Sequence, residues 1–350
     1  MKVLVTGGAG FIGSHFCVRL MKDGHQVAVV DDLNAYYSRA LKLRNLDVIR
    51  AVGSFPFYER DICDAGAMAA ILKSWRPNAI VHLAARAGVR PSLEQPLLYE
   101  RVNVGGTLAL LEACREFGIR KFVFASSSSV YGDTTQPPFS EEDPVSRPVS
   151  PYAATKLAGE QLCYTYFHLY GIRSVCLRFF TVYGPRQRPD LAIRKFAERI
   201  AAGLPIPVFG DGSSGRDYTF VEDTVEGIAA ALDYDCGYDI INLGNSRPVT
   251  LLEMIGALEE AIGRKAEIEW LPDQSGDVPI TCADIGKATR LLGYSPKTPF
   301  PAGIRKFLDW RFAEASLPPA VTIAPTPNDI IPRIPPAFAP SRSAPRSVRG

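Results

Sequence analysis

Tyr152 and Lys156 stand four residues apart in Pro151-Tyr-Ala-Ala-Thr-Lys, at the start of a helical pattern, so their side chains share one helix face. An ammonium beside a phenol favours the phenolate and draws the tyrosine pKa from about 10 toward neutrality. Such a tyrosine can act as a general base toward a hydroxyl. Ser150 can cap this helix, and Pro151 suits its first turn. A second group sits upstream, in Ala125-Ser126-Ser127-Ser128-Ser129-Val130-Tyr131-Gly132. Four consecutive serines at a strand end are poor core material and good hydroxyl donors. Either group alone is unremarkable, a polar loop or an exposed helix face. Together they suggest proton transfer at a bound hydroxyl.

The third group is a turn for phosphate. Gly7, Gly10 and Gly13 fall at G-x-x-G-x-x-G spacing in Thr6-Gly7-Gly8-Ala9-Gly10-Phe11-Ile12-Gly13, directly after the apolar Val3-Leu4-Val5. Gly7 permits the tight turn, Gly10 a close backbone approach to a pyrophosphate, and Gly13 close packing of helix on sheet. The positive helix end that starts at Phe11 and Ile12 then faces the phosphates. Asp31 and Asp32 follow about 20 residues on, where an acid can bind the adenosine ribose hydroxyls and would repel a 2′-phosphate. This favours NAD over NADP, with Asp31 the better placed of the two. Asp61 and Ile62, after the third strand, are expected to border the adenine.

These groups need a scaffold that brings strand ends together. Through residue 180 the chain alternates short β-branched runs with longer helical patterns, as in an α/β doubly wound parallel sheet, the Rossmann fold. The expected strands are residues 2–6, 26–31, 57–60, 79–83, 121–126 and 174–180. Ligands bind such sheets at the carboxyl ends of the strands, and Gly7, Asp31 and the serines all stand there. Residues 1–180 are therefore expected to form the NAD-binding domain. Residues 181–315, a smaller mixed α/β region whose chain crosses back to the sheet, are expected to bind substrate. From residue 316 to 350, nine prolines lie among small residues and arginines, a composition expected to stay disordered.

The remaining composition narrows the function classes. Of 350 residues 47% are hydrophobic and 22% charged, and the net charge is only +2, so no basic face for nucleic acid and no membrane segment are expected. Seven cysteines without C-x-x-C spacing, and a start without a signal peptide, point to a reducing, cytoplasmic setting. The four histidines have no metal-ligand spacing, so no metal is expected. His82 reads as a satisfied core residue.

Taken together, these motifs resemble the extended short-chain dehydrogenase/reductases, and within them the nucleotide-sugar 4-epimerases, over residues 2–310. The resemblance implies that Tyr152 takes the proton of a sugar 4-hydroxyl while C4 gives hydride to NAD. The 4-keto sugar then turns over and takes hydride back on its other face. It further implies that Ser127 bridges the hydroxyl and Tyr152, and that Lys156 also binds the nicotinamide ribose. Leu83, Ala84, Ala85 and Phe179 would flank the cofactor, and Asn103 would fill the family's helix-borne asparagine position. Related dehydratases and decarboxylases carry acids where Ser128 and Ser129 stand, which leaves epimerisation or simple oxidation.

For the sugar, Thr181 stands where UDP-glucose 4-epimerases usually carry asparagine, and Arg178-Phe179-Phe180-Thr181 to Asp190 is closer to UDP-glucuronate 4-epimerases. Ser128, Ser129, Thr181 and Arg188 could donate to a uronate carboxylate. For Arg186 and Arg188 a solvated loop or a pyrophosphate clamp stays open. Arg90, in Ala84 to Arg90, resembles a substrate-phosphate contact, Arg216 a diphosphate grip, and Asp277 a uridine-ribose contact. Gln274 replaces a phosphate-binding arginine of the glucose epimerases. The expectation is thus a UDP-glucuronate 4-epimerase, with UDP-glucose epimerase as the alternative and a non-catalytic dinucleotide-binding protein a distant third. Family resemblance also implies a homodimer, through the helices carrying residues 108–114 and 153–166.

Overall fold

In the computed structural model, which describes residues 1–133, 136–272 and 279–315, seven parallel strands form the central sheet. Along the chain the strands are β1 (Lys2–Thr6), β2 (Gln26–Asp31), β3 (Phe57–Glu59), β4 (Ala79–His82), β5 (Lys121–Ser127), β6 (Arg173–Phe179), β7 (Thr181–Tyr183), β8 (Ile206–Phe209), β9 (Gly215–Phe220), β10 (Tyr238–Leu243), β11 (Pro248–Thr250) and β12 (Ile268–Leu271). The central sheet has the order β10-β6-β5-β4-β1-β2-β3. The order reverses between β1 and β4, and the crevice at this switch point lies at the carboxyl ends of both.

Alternation along each strand feeds two cores. Val3 and Val5 of β1 and Val27 and Val29 of β2 pack into one cluster, while Leu4, Ala28 and Val30 enter the other. Residues pointing to opposite faces must each be apolar when helices cover both. The helices Phe11–Lys22 and Val221–Asp233 supply the first cluster. Gly106–Phe117 and Pro151–Tyr170 supply the second.

All six expected sheet strands agree with the structure to within one residue at each end, β5 running one residue further, through Ser127. The seventh, β10, comes from the later region and pairs with β6 in the register Tyr238↔Ser174 to Leu243↔Phe179. Two small sheets, β11-β9-β7 and β12-β8, complete the later region. All described residues fall in one compact unit. Among them no helix is long and apolar enough to cross a membrane. The expected tail, residues 316–350, lies outside the described residues, as do Gln274 and Asp277.

Candidate active site

A cleft of about 1100 Å³ opens at the switch point and is lined from both sides of it. The glycine turn forms its floor. Gly7 adopts φ +71°, and a Cβ there would come within 2.7 Å of the Ala84 backbone nitrogen. A Cβ at Gly13 would lie 2.2 Å from the Gly7 carbonyl oxygen. At Gly10 a Cβ would meet only that same oxygen, at 3.0 Å, so the space before the turn is otherwise open. These are the properties a dinucleotide pyrophosphate requires of its loop, so the residues present fit the group.

All the residues expected to touch the cofactor line this cleft except Asn103: Gly7, Gly10, Phe11, Ile12, Gly13, Asp31, Asp32, Asp61, Ile62, Leu83, Ala84, Ala85, Tyr152, Lys156 and Phe179. Asp31 is nearly buried; its carboxylate accepts from the Ala9 and Leu33 amides at 3.2 and 2.9 Å, with Lys42 Nζ at 3.9 Å. Burial pushes its carboxyl pKa up, while Lys42 and the two amides oppose the rise.

Asn103 does not line the described cleft. It sits in a π-helical turn, Glu100–Gly105, and both its amide hydrogens are engaged, by Arg86 O at 3.0 Å and Thr155 Oγ1 at 3.0 Å. Its Oδ1 accepts from the Arg86 amide at 2.8 Å. Asn103 therefore ties the 83–87 loop to the helix that bears Tyr152, from behind the cleft wall. A wide turn at such a place is a common device for aiming one side chain.

The reacting groups meet at the ends of β5 and β6. Ser150 caps helix Pro151–Tyr170 by accepting from the Ala153 amide at 3.1 Å, as its sequence foreshadows. The Ser127 hydroxyl lies on the Tyr152 phenol's side and favours its ionised form. Its ring packs edge-on against Tyr99 with centroids 6.2 Å apart. Lys156 Nζ donates to the Ala125 carbonyl at 2.7 Å and lies 6.0 Å from the centre of the Tyr152 ring. Burial pushes the lysine down to about 8, with the Glu160 charge opposing.

The phenol differs from expectation. Burial raises the Tyr152 pKa, opposed by the Ser127 hydrogen bond and the Arg188 charge rather than by Lys156. The ammonium is directed at a carbonyl on β5, so in the protein alone it does not bring the phenol toward neutrality.

On the substrate side Arg188 lines the cleft. Its side chain is 19% exposed, forks onto Asp190 with two 2.9 Å bonds, and lies 5.4 Å from the Tyr36 ring centre. Arg188 is thus largely covered and paired. Ser129 Oγ donates to Ser127 Oγ at 2.9 Å, and Ser128 begins the 3₁₀ turn that follows β5. Thr181 opens β7, two residues past Phe179. Arg90 stacks over Phe209 at 5.5 Å, and Arg216 donates to the Gly215 and Pro279 carbonyls at 2.8 and 3.3 Å. None of Arg90, Ser128, Ser129, Thr181 and Arg216 lines the described cleft.

Sequence reasoning missed Tyr36, Lys42 and Arg86, all of which line it. The Tyr36 ring has Arg86 at 5.9 Å and Arg188 at 5.4 Å, and its hydroxyl donates to Ala87 O at 2.9 Å. A signal for Lys42 was present. In helix Arg39–Arg50 the buried positions are Lys42, Asn45, Leu46 and Ile49, so two polar residues occupy the apolar stripe. Asn45 uses that position to hold the glycine turn, donating to Ala9 O at 2.9 Å.

His82 is a structural residue, as expected. Thr107 Oγ1 donates to Asn103 O at 2.6 Å and so can only accept from His82 Nε2, at 3.0 Å. His82 Nδ1 then accepts from Thr6 Oγ1 at 2.7 Å, and Thr6 accepts in turn from the Ala84 amide at 3.3 Å. Burial pushes the imidazole down to about 3, so it is neutral.

A glycine turn at a topological switch point, facing the Tyr152 and Lys156 pair, defines a dinucleotide-binding enzyme of the short-chain dehydrogenase type. The sequence matches the NAD dependent epimerase/dehydratase family over residues 3–244, and the chain belongs to that family. It is 44% identical to a UDP-glucuronate 4-epimerase of Thermodesulfobacterium geofontis over 308 residues, 88% of this chain and 95% of the relative. Among solved structures it is similar to the UDP-glucuronic acid 4-epimerase of Bacillus cereus in complex with UDP-glucuronic acid and NAD. There the TM-score is 0.84 and the identity 36%, covering 90% of this chain and 100% of that one. The UDP-glucose 4-epimerase of Thermotoga maritima with UDP-glucose is also similar, with TM-score 0.83, 34% identity and the same coverage.

Proposed function

We propose that the protein is an NAD-dependent UDP-sugar 4-epimerase whose substrate is UDP-glucuronate and whose product is UDP-galacturonate. Residues 1–180 would hold the cofactor and residues 181–315 the nucleotide sugar. NAD bound at the glycine turn supplies the acceptor, and later the donor, of the C4 hydride. Tyr152 takes the 4-hydroxyl proton through or beside Ser127 and gives it back once the 4-keto sugar has presented its other face. Lys156 stabilises the developing phenolate from the ring side. Asp31 and Asp32 hold the adenosine ribose, and Asp61 and Ile62 border the adenine.

The observation that carries the choice of sugar is Arg188, a largely buried guanidinium whose charge bears on Tyr152 inside the cleft. A carboxylate next to the reacting C4 is the partner such a group recognises best. The relatives named UDP-glucuronate 4-epimerase support the same reading. One feature favours UDP-glucose instead, since the Asp190 fork already neutralises Arg188. The test offers the two UDP-sugars separately and resolves the products by NMR. Arg188→Gln is expected to cut kcat/KM for UDP-glucuronate by about 10- to 100-fold, the loss of one charge-assisted bond. UDP-glucose turnover should change far less. Equal losses on both sugars would remove the carboxylate from the argument.

Lys156 also fixes a pH limit. Its cation is lost as pH rises through about 8, so kcat/KM is expected to fall above that pH. The same lysine is held below its ordinary 10.5, so unfolded chain binds more protons between those values and this group makes folding more favourable as pH rises across them. A fall in activity above pH 8, while this group's contribution moves the denaturation midpoint up rather than down, is the expected pair of results.

A cytoplasmic homodimer is part of the proposal. The exposed Leu108, on helix Gly106–Phe117, and Tyr164 and Leu169, on helix Pro151–Tyr170, support the dimer, which sedimentation analysis would test.

A further inference from the structure

Three consecutive residues of β5 are each tied to helix Pro151–Tyr170, and the three helix residues are spaced by four. The Ser127 hydroxyl acts on the Tyr152 phenol, the Ala125 carbonyl accepts from Lys156 at 2.7 Å, and the Ser126 hydroxyl donates to Glu160 at 2.5 Å. The first two ties involve the reacting pair. The third involves a carboxylate the reaction does not use, with a side chain 0% exposed. Such an acid survives burial only when paired and fully hydrogen-bonded. Arg178 provides this, donating from Nε and Nη2 to the two Glu160 oxygens at 2.9 Å each. Arg178 is the direct β6 partner of Ser126 in the strand register. Glu160 therefore grips two adjacent strands at one level, one helical turn beyond Lys156.

We propose that Glu160, held by Arg178, is a positioning residue for the epimerisation: it sets the height of Tyr152 and Lys156 against β5 and supplies the counter-charge that faces Lys156. Among the described residues, the titratable groups packed around this turn are Tyr152 and Cys163 on the same helix, the neutral His82 on β4, Cys176 and Arg178 on β6, Tyr131 with its ring 4.8 Å from the Arg178 guanidinium, and Tyr238 on β10, whose hydroxyl donates to the Glu160 carbonyl at 3.2 Å. Glu160 is the one carboxylate among them, and its charge opposes the effect of burial on Lys156. A bare buried pair would serve stability poorly, since apolar side chains of similar volume often do as well. Its place beside the reacting lysine gives the pair a use that apolar replacements would lack.

The inference rests on the epimerase reading, and its test includes a measurement that needs no substrate. Protein labelled with ¹³Cε-lysine is titrated by NMR, with Lys156 assigned through Lys156→Arg. Glu160→Gln strands the Arg178 charge, so the double variant E160Q/R178M is made beside it. Both are expected to lower the Lys156 midpoint by about one pH unit or more. They should also lower kcat by about 10- to 100-fold, through misplacement of the reacting pair, with little change in KM. Glu160→Asp keeps the charge but shortens the reach, so it should retain the wild-type midpoint while kcat falls. A folded double variant with the wild-type midpoint and the wild-type kcat would overturn the proposal. A wild-type chain that turned over no UDP-sugar would instead sink the epimerase reading, and the Lys156 titration would still decide the counter-charge.

Discussion

Tyr152→Phe is expected to lower turnover by about 10²- to 10⁴-fold, the range that a single general base contributes, while the protein still binds NAD. The substitution removes one oxygen and no packing. The edge-on contact with Tyr99 at 6.2 Å and the position of Lys156 6.0 Å from the ring centre both belong to the ring and persist in phenylalanine. Helix Pro151–Tyr170 keeps its Ser150 cap, so the fold should be unchanged. The measurement pairs a turnover assay with the thermal midpoint and the amount of NAD released on denaturing the purified protein. Turnover within tenfold of wild type would mean that the phenol is not the base, and would remove the chemical core of the assignment.

The second large effect belongs to a single methyl group. Gly13→Ala places a Cβ 2.2 Å from the Gly7 carbonyl oxygen, and no rotamer can relieve a clash between two backbone-fixed atoms. The turn must open. It is held by Gly7 N donating to Val30 O at 2.8 Å and by Gly10 N donating to Gly7 O at 3.0 Å, so opening loosens the join between β1, β2 and the first helix. A destabilisation of about 1–3 kcal/mol is expected from the overpacking. A larger proportional loss is expected in NAD affinity, because opening the turn displaces the start of helix Phe11–Lys22, whose first-turn amides would face the pyrophosphate. Calorimetric titration of NAD into the variant, beside its denaturant midpoint, separates the two. An affinity within threefold of wild type would show that the turn tolerates the shift and that the phosphates lie elsewhere.

The fold was legible because its signals are local. β1 and β2 could be read to the residue from their apolar runs, and the cap and proline of the catalytic helix from Ser150 and Pro151. The residues lining the cleft from this side were legible for the same reason, since Asp31 ends β2 while Gly7 and Asp61 follow β1 and β3 within two residues. What could not be read depends on contacts between distant segments. Tyr36 lies close in sequence to Asp31, but its place between Arg86 and Arg188 exists only once three loops converge. The ties of Asn103 to Arg86 and Thr155, which join the 83–87 loop to the helix of Tyr152, likewise could not be read from its position. The tyrosine pKa was read from spacing alone, yet burial, which spacing does not reveal, outweighs the ammonium. Serine runs and arginine loops carry no geometry in sequence, and so the sugar-side residues were the least resolved.

The pairing of β10 with β6 bears on how the molecule can be cut. A fragment ending at residue 180 would contain the glycine turn, Tyr152 and Lys156, yet its last strand would present a bare row of amides and carbonyls where residues 238–243 now pair. Val175 and Leu177, nearly buried in the whole chain, lie on that strand, and an apolar open edge recruits other chains. Anyone seeking a minimal cofactor-binding module from this protein would have to carry β10 along or cover the edge with charged residues. Residues 1–180 and the region that follows are thus joined as parts of one weave, and neither can be lifted out without unravelling a selvedge.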